Sequence, residues 1–585
     1  MTADRSGPAF SVHDIPFSTY GSWFDISPVV AEKTYAEDLH LVSHQNGMHA
    51  VLRLVPLDAA TGDRAETRVE AAPALLSWVG PAGRVDLAYE SPDTVRLRGS
   101  GLTLGVRAAA RTLTPFSGTY FYREPGTEAY VFTSYETGRR YRITLLSGTV
   151  TEASGTQALG GADRGVTIGG ETGQVWEVAV EEYETARRPY TSTTDFDGVV
   201  GAARAAFAAF TDAVAPWRSS ATPAAELAAY VLWSATVRPK GFVTRPAVLM
   251  SKHWMDKVWS WDHCFNALAL APGSPDLAWD QFSLPFDHQD EAGALPDSVT
   301  HSEVLHNFVK PPIHGWALGL LRRRLPAPLS PAHLTEAYDR LERWTNFWLT
   351  ARRAPGSALP HYQHGNDSGW DNATTFDPDR MAVTADLAAF LTLQLRELAD
   401  MADELGLPDV ARRWTRTADA TQSAMLGELW NGDRFVARSA GGAETWTSAS
   451  LLDLMPIALG EHLPEAVSSV LADRIETHLT SHGLATEQPT SPHYLSDGYW
   501  RGPIWAPSTV LVEDGLRRAG HYRLADEIST RFRALCETHG FAENFDALTG
   551  EGLRDRAYTW TAAGYLLLAE AHELRHTAPA THAGG

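Results

Sequence analysis

Residues 361–377, HYQHGNDSGWDNATTFD, place three aspartates, two histidines and a Trp-Asp pair behind a glycine in one connection between two apolar-periodic stretches. Within it, Asp371 follows Gly369 and Trp370. The glycine can turn the backbone, and the indole can exclude water and raise the neighbouring carboxyl pKa, which suits a proton donor. Three more stretches collect tryptophan or phenylalanine with carboxylates: KVWSWDHCF at 257–265, DGYWRGPIWAP at 497–507 and GFAENFDALTGEG at 540–552. In the last, Glu543 stands between Phe541 and Phe545 just after Gly540, where it could hold a water as base.

Aromatic faces beside carboxylates suit a sugar. The C–H face of a pyranose stacks on an indole, and its hydroxyls need charged or amide partners. Trp259, Trp261, Trp500 and Trp505 would each read as core aromatics if met alone; four such loops in one chain shift the balance toward a carbohydrate site. Hydrolysing a glycosidic bond takes two carboxyl groups on separate loops, one protonating the departing oxygen, the other activating water or attacking carbon. Asp371 and Glu543 are the candidates, against the commoner fate of a loop carboxylate as a solvated group or helix cap. The many histidines, among them His253, His263, His314, His361 and His364, show no HExxH or comparable spacing, so no metal is expected from them.

The elements that must position these groups change character along the chain. Residues 1–195 hold short alternating runs, RYRITLL and VWEVAVE among them, separated by Gly, Pro, Asp and Ser, which predicts an antiparallel β-sandwich. The stretch 155–172 reads as loop, and a helix over 196–214 links the halves, within a linker spanning 196–220. From 221 to 585 the apolar period becomes 3.6 and predicts twelve helices: 223–237, 261–271, 275–290, 311–325, 330–353, 381–404, 407–428, 447–459, 464–478, 503–519, 521–538 and 558–575. Six helical hairpins closing into an (α/α)6 barrel would hide every inner apolar face; an open solenoid is disfavoured because no fixed-period repeat occurs.

With 585 residues the chain is too long for one ordinary core. Its formal net charge of −22 and lack of any Lys/Arg cluster argue against a nucleic-acid partner. Cys264 and Cys536 are far apart and form no metal pattern. No apolar run approaches 18 residues and the start, MTADRSGPAF, has no leader pattern, so a cytoplasmic protein with no membrane partner is expected.

The ordered strings W-x-W-D-x-C-F (259–265), L-P (295–296), K-P-P-I-H-G-W-A (310–317), S-G-W-D-N (368–372), Y-W-R-G-P-I-W (499–505), F-x-E-N-F with T-G (541–550) and Y-T-W-T-A (558–562) resemble glycoside hydrolase family 63 in its bacterial branch, related to the trehalases and the glucosylglycerate and mannosylglycerate hydrolases. The resemblance covers roughly 225–575. It implies an exo-acting α-glycosidase, of α-glucosidase type, that inverts anomeric configuration on a small carbohydrate substrate. On that pattern Asp371 is the general acid, Glu543 the general base and Asp262 a carboxylate gripping sugar hydroxyls, while Trp259, Trp261, Trp370, Trp500, Arg501 and Trp505 line the pocket. Arg501 could pair with the leaving group or simply form a structural salt bridge. No cofactor is implied; some relatives hold a structural calcium, but no D-x-D-x-D-G loop occurs here. The chain departs from the family at Asp367, where Glu is usual, and at Ala373-Thr374, where Ser-Pro is frequent. A sugar isomerase or epimerase on the same toroid, working through paired histidines, and a non-catalytic carbohydrate-binding protein are the competing readings.

Overall fold

The computed structural model describes residues 7–156, 159–170 and 174–577. They divide into two compact units, one comprising Met1–Asp212, Ala229–Asp256 and Thr300–Ser302, the other Ala213–Ala228, Lys257–Val299 and Glu303–Gly585.

The first unit is β-rich. Strands Phe24–Ala31, Thr34–Ser43, His49–Asp58, Leu102–Ala108, Gly165–Gly169 and Thr149–Ser154 form, in that order, a six-stranded antiparallel sheet. Eight others, running from Thr119–Arg123 at one edge to Arg68–Ala72 at the other, form a second antiparallel sheet. Alternation turns one face of each toward a single buried cluster, to which the six-stranded sheet gives Ile26, Leu41, Leu54 and Val106 and the eight-stranded sheet Leu87, Leu97, Phe132 and Val178. The expectation of a loop over 155–172 fails in part: Gly165–Gly169 is a buried strand pairing on both sides, while 157–158 and 171–172 lie outside the described residues. Its flanking glycines read as loop punctuation, yet they are where neighbouring backbone comes close; a Cβ on Gly165 would lie 2.2 Å from the Val106 carbonyl oxygen.

The helix α1 (Phe196–Val214) begins on this unit, with Phe196, Val199 and Val200 packed on Ala74 and Ala88. Eleven of the twelve helices expected beyond it are present as α-helices: α2 (Ala225–Ala235), α3 (His263–Leu270), α4 (Pro275–Asp287), α5 (His314–Arg324), α6 (Pro331–Thr350), α7 (Ala385–Glu404), α8 (Pro408–Glu428), α9 (Glu465–Glu476), α10 (Ala506–Arg518), α11 (Tyr522–His539) and α12 (Thr559–Thr577). The segment expected at 447–459 is a 3-10 helix, Leu451–His462, with Pro456 inside and a left-handed kink at Gly460. Pro456 removes one backbone donor and Gly460 leaves helical φ/ψ, so the segment does not sustain a long α-helical hydrogen-bond ladder. Starts follow local chemistry: Ser330 Oγ accepts the His333 N–H at 3.2 Å and Pro331 takes the first helical position of α6.

In the second unit, α3 packs on α5, α5 on α7, α7 on the 3-10 helix, the 3-10 helix on α10, α10 on α12 and α12 on α3. The helices α4, α6, α8, α9 and α11 pack against members of that series. The site-bearing stretches are the connections between these helices. Among the described residues, no helix is long and apolar enough to cross a membrane.

Candidate active site

The 361–377 connection is built by its own polar groups. Gly365–Ser368 makes a 3-10 turn, in which Ser368 Oγ donates to the Gly365 carbonyl at 2.6 Å and accepts the Trp370 N–H at 3.1 Å. Gly369 ends it at φ +74°, where a Cβ would sit 2.5 Å from Cζ2 of Trp261. Both the left-handed backbone and the close indole demand glycine there.

Two of the three aspartates are spent on structure. Asp367 accepts from Arg352 Nη1 at 2.6 Å, the Gln363 N–H at 2.9 Å and the Val309 N–H at 3.1 Å. It therefore holds the loop's base rather than facing a ligand. Asp377 pairs with Arg501, whose Nε also donates to the Asn372 carbonyl at 2.7 Å. Of the two roles open to Arg501, the structure displays the salt bridge. Asn372 completes the staple between the loops, donating to the Gly498 carbonyl and accepting the Trp500 N–H, both at 3.0 Å.

Asp371 remains. Its side chain is 29% exposed, but Oδ1 is closed off and accepts no hydrogen bond from the described residues. Burial raises its pKa, Asp297 raises it further, and Lys310, the Tyr499 hydroxyl and His364 oppose. Glu543 is 1% exposed. It follows Ala542, whose carbonyl accepts Thr561 Oγ1 at 2.8 Å, and its own N–H donates to the Asp555 carbonyl at 2.7 Å, so the backbone is fixed while both carboxylate oxygens accept no hydrogen bond from the described residues. Burial pushes it up to about 8, with Asp555 and Asp371 adding to the shift and Arg554 opposing it. Asp262 precedes α3 without capping it, and burial pushes it too up to about 8 against the pull of Lys310, with Asp297 and Asp371 raising it.

Asp371 thus acts electrostatically on both Glu543 and Asp262, so the structure brings the three predicted carboxyls into one neighbourhood. Tyr499 stands among them: burial first, then Asp371, Glu543 and Asp262, push its hydroxyl up. It adopts φ +62°, unusual for a bulky residue, wedged edge-on against Trp505 at 5.0 Å under the Arg554 guanidinium at 5.0 Å.

The tryptophans form a packed cluster. Trp500 and Trp505 stack at 4.1 Å and 4°, Trp370 lies 4.6 Å from Trp500, and Trp261 and Trp560 meet edge to face at 5.6 Å. None of these five is more than 3% exposed. Trp259 stands apart from the stack, half-buried in a short strand paired to Ser298–Val299, next to Asp297.

Asp297, Lys310, Tyr499, Tyr558 and Trp560 belong to this neighbourhood and were not singled out from the sequence. Lys310 Nζ pairs with Asp297 at 3.0 Å, donates to the Asn366 carbonyl at 3.0 Å and lies 3.9 Å from Asp371. Each lies inside or directly after a quoted string, so spacing pointed to the segment but not to the side chain. His314 is locked as a neutral ring: Nε2 donates to the Ser260 carbonyl at 2.7 Å, Nδ1 accepts from Trp344 Nε1 at 3.2 Å, and burial pushes its pKa down to about 4. A cavity of about 670 Å³ is lined by Thr374, Asp377, Ser448, Gln488 and Arg474, among others, but by none of Asp262, Asp371 or Glu543. It adjoins the loop without being the space between the carboxyls.

Shielded carboxyls whose oxygens accept few or no hydrogen bonds, held by fixed loops, are the equipment of acid–base hydrolysis. A family model described as the mannosylglycerate hydrolase MGH1-like glycoside hydrolase domain matches residues 255–561, and the chain belongs to that family. It is a glycoside hydrolase of the GH63 type related to trehalases. It is 26% identical over 415 residues to the mannosylglycerate hydrolase of Rubrobacter radiotolerans, covering 55% of this chain and 92% of that one. The crystal structure of the GH63 mannosylglycerate hydrolase from Thermus thermophilus in complex with Tris matches with a TM-score of 0.52 and 22% identity, over 59% of this chain and 99% of that one. A bacterial glucoamylase complexed with acarbose is similar in fold over 98% of this chain and 96% of its own, with a TM-score of 0.59 and 10% identity.

Proposed function

We propose that the protein is an exo-acting, inverting α-glycosidase that hydrolyses a small α-glycoside in a closed (α/α)6 barrel. A β-domain over 1–195 and a helical link over 196–220 precede that barrel in this reading. The unbroken packing series from α3 through α5, α7, the 3-10 helix, α10 and α12 back to α3 supports closure. The observation that carries the chemistry is the electrostatic influence of Asp371 on Glu543, two carboxyls on separate loops, with Asp371 Oδ1 and both Glu543 oxygens accepting no hydrogen bond from the described residues.

Asp371 gives its proton to the departing glycosidic oxygen as the bond to the anomeric carbon breaks. A water attacks that carbon from the opposite face and passes a proton to Glu543. Inversion requires a gap of about 6.5–9.5 Å between the two carboxyls, so that the water fits beside the sugar. Glu543, raised by burial to about 8, does this as its carboxylate, having released its own proton to solvent before the substrate binds. Asp262 grips hydroxyls of the glycone. The packed tryptophans fix the loops and offer ring edges; Trp259 is the more open indole. Hexosylglycerates are the first substrates to try, because the similar Rubrobacter protein is named for one.

The test is a panel of α-glucosylglycerate, α-mannosylglycerate and α-linked disaccharides, followed by variants on whichever is cleaved. Asp371→Asn and Glu543→Gln should each lower kcat by about 10²–10⁴ or more. Proton NMR of fresh product should show the β-anomer. Full activity in both variants, or an α-anomer released first, would reject the reading.

A further inference from the structure

We propose that Lys310 is a positioning residue for the proton donor: clamped by Asp297 and by the Asn366 carbonyl, its ammonium is set beside Asp371 so that this carboxyl can release its proton to the leaving group. The inference rests on Asp371 being the general acid.

The geometry is specific. Lys310 is 6% exposed and enters ahead of Pro311 and Pro312, which restrict the backbone before α5. Its Nζ has three neighbours of negative or partly negative charge: Asp297 Oδ1 at 3.0 Å, the Asn366 carbonyl at 3.0 Å and Asp371 Oδ1 at 3.9 Å. Asn366 lies on the same connection as Asp371, five residues earlier. The lysine therefore ties the donor loop to the segment carrying Asp297 while standing short of a full hydrogen bond to Asp371 itself.

That placement answers an electrostatic problem. Asp371 faces Asp297, Asp262 and Glu543, and burial adds to their repulsion of its anion. Such a carboxyl would hold its proton too tightly to protonate an alkoxide-like leaving oxygen efficiently. Tyr499 and His364 offer some relief. Lys310 is first among the opposing groups, and the same ammonium also lowers Asp262. Asp297 has a double part: it anchors the ammonium and repels the Asp371 anion. Removing Lys310 and removing Asp297 should therefore move the donor in opposite directions.

The experiment measures kcat against pH for Lys310→Met and Asp297→Asn beside the unaltered enzyme. In Lys310→Met the alkaline limb moves up, so that at a fixed alkaline pH the rate relative to its own maximum rises about tenfold. In Asp297→Asn the limb moves down. Lys310→Met should also lower the maximal rate on a glycerate glycoside by about 10²-fold, but much less on α-glucosyl or α-mannosyl fluoride, whose leaving group needs little protonation. A merely structural lysine would depress both substrates alike and leave the limb in place; that result, or limbs moving in the same direction, overturns the proposal. If Lys310→Met fails to fold, Lys310→Gln, which keeps a donor at the clamp without the charge, should show the same upward movement and the same split between substrates, and an unmoved limb there overturns the proposal. Asp371→Asn run in parallel separates the two ideas: if it retains full activity the acid assignment itself has failed, whereas an inactive Asp371→Asn with an unmoved limb in Lys310→Met refutes only the role of Lys310.

Discussion

Both units of this protein bury carboxyls, and those of the candidate site are held differently from the rest. In the β-rich unit, Asp25 lies 2.7 Å from His44 Nε2, and His44 Nδ1 lies 3.3 Å from Asp256. These carboxylates, with hydrogen bonding first among them after burial's opposing effect, push the imidazole up to about 9. Glu181 pairs with Arg142 and Arg187, and Glu182 accepts from Gln45 at 2.6 Å and Tyr141 at 3.1 Å. In the helical unit, Asp262 and Glu543 are just as buried, yet both oxygens of Glu543 meet no donor among the described residues, and Asp262 Oδ2, like Asp25 Oδ1, meets none either. A carboxyl answered by a cation or several donors serves folding; one left facing its own kind costs stability, which marks it as a candidate for the proposed chemistry.

The comparison breaks most visibly at Glu543. Glu543→Gln should lose about 10²–10⁴ of the rate while unfolding at the same temperature or higher, because the amide removes a buried acid that repels Asp371 and Asp555. Thermal unfolding and turnover measured on one preparation check both halves. A rate loss accompanied by a large drop in stability would place Glu543 with the structural carboxyls instead. The mirror experiment is His44→Gln. Removing the partner of Asp25 should cost about 3–5 kcal/mol by denaturant titration, while kcat per folded molecule stays within about twofold. An unchanged midpoint would mean that the buried triad is dispensable and the contrast between the units false.

How much of this contrast is visible in the sequence depends on its range. Asp371 and Glu543 stood out because glycine and aromatic neighbours mark a turn with a shielded carboxyl, and those are local signals. The twelve helical stretches were legible for the same reason, since their periodicity is carried by adjacent turns, and only the Pro456 segment changed type. Orientation was not legible: the pair Trp500 and Trp505 suggested open sugar platforms, but stacking at 4.1 Å covers the facing sides of both rings. Pairings between distant residues were hidden as well. Arg142, placed on the outer face of its strand by alternation, is buried because Glu181 on the next strand and the Arg187 carbonyl receive it. Lys310 finds Asp297 only because a short three-stranded sheet holds Ser298 between Trp259 and Leu305. Gly165–Gly169 read as loop since nothing in five residues reports that strands will cover both edges.

The smallest effect separates the two clusters by pH. Glu543 is raised from 4.5 to about 8, so the folded state binds its proton more tightly than the unfolded state does. Its favourable contribution is complete below about pH 4.5 and is lost as pH rises through about 8. His44 is raised from 6.5 to about 9, so its contribution is present below about pH 6.5 and disappears through about 9. Lys252, whose Nζ donates to Ser18 Oγ at 3.0 Å and the Ser22 carbonyl at 2.8 Å, is pushed down by burial to about 7 and has the opposite sign, gaining stability as pH rises from about 7 toward 10.5. The unaltered protein sums all three, so single curves are hard to read, but differences between variant and parent isolate each group. Subtracting the Glu543→Gln curve should leave a decline confined to about pH 4.5–8, and subtracting His44→Gln one confined to about pH 6.5–9. Melting temperatures collected at half-unit pH intervals decide it: if the two difference curves fall in the same window, the carboxyl and the imidazolium are not held in distinct environments, and pairing does not divide the buried charges of this protein into two kinds.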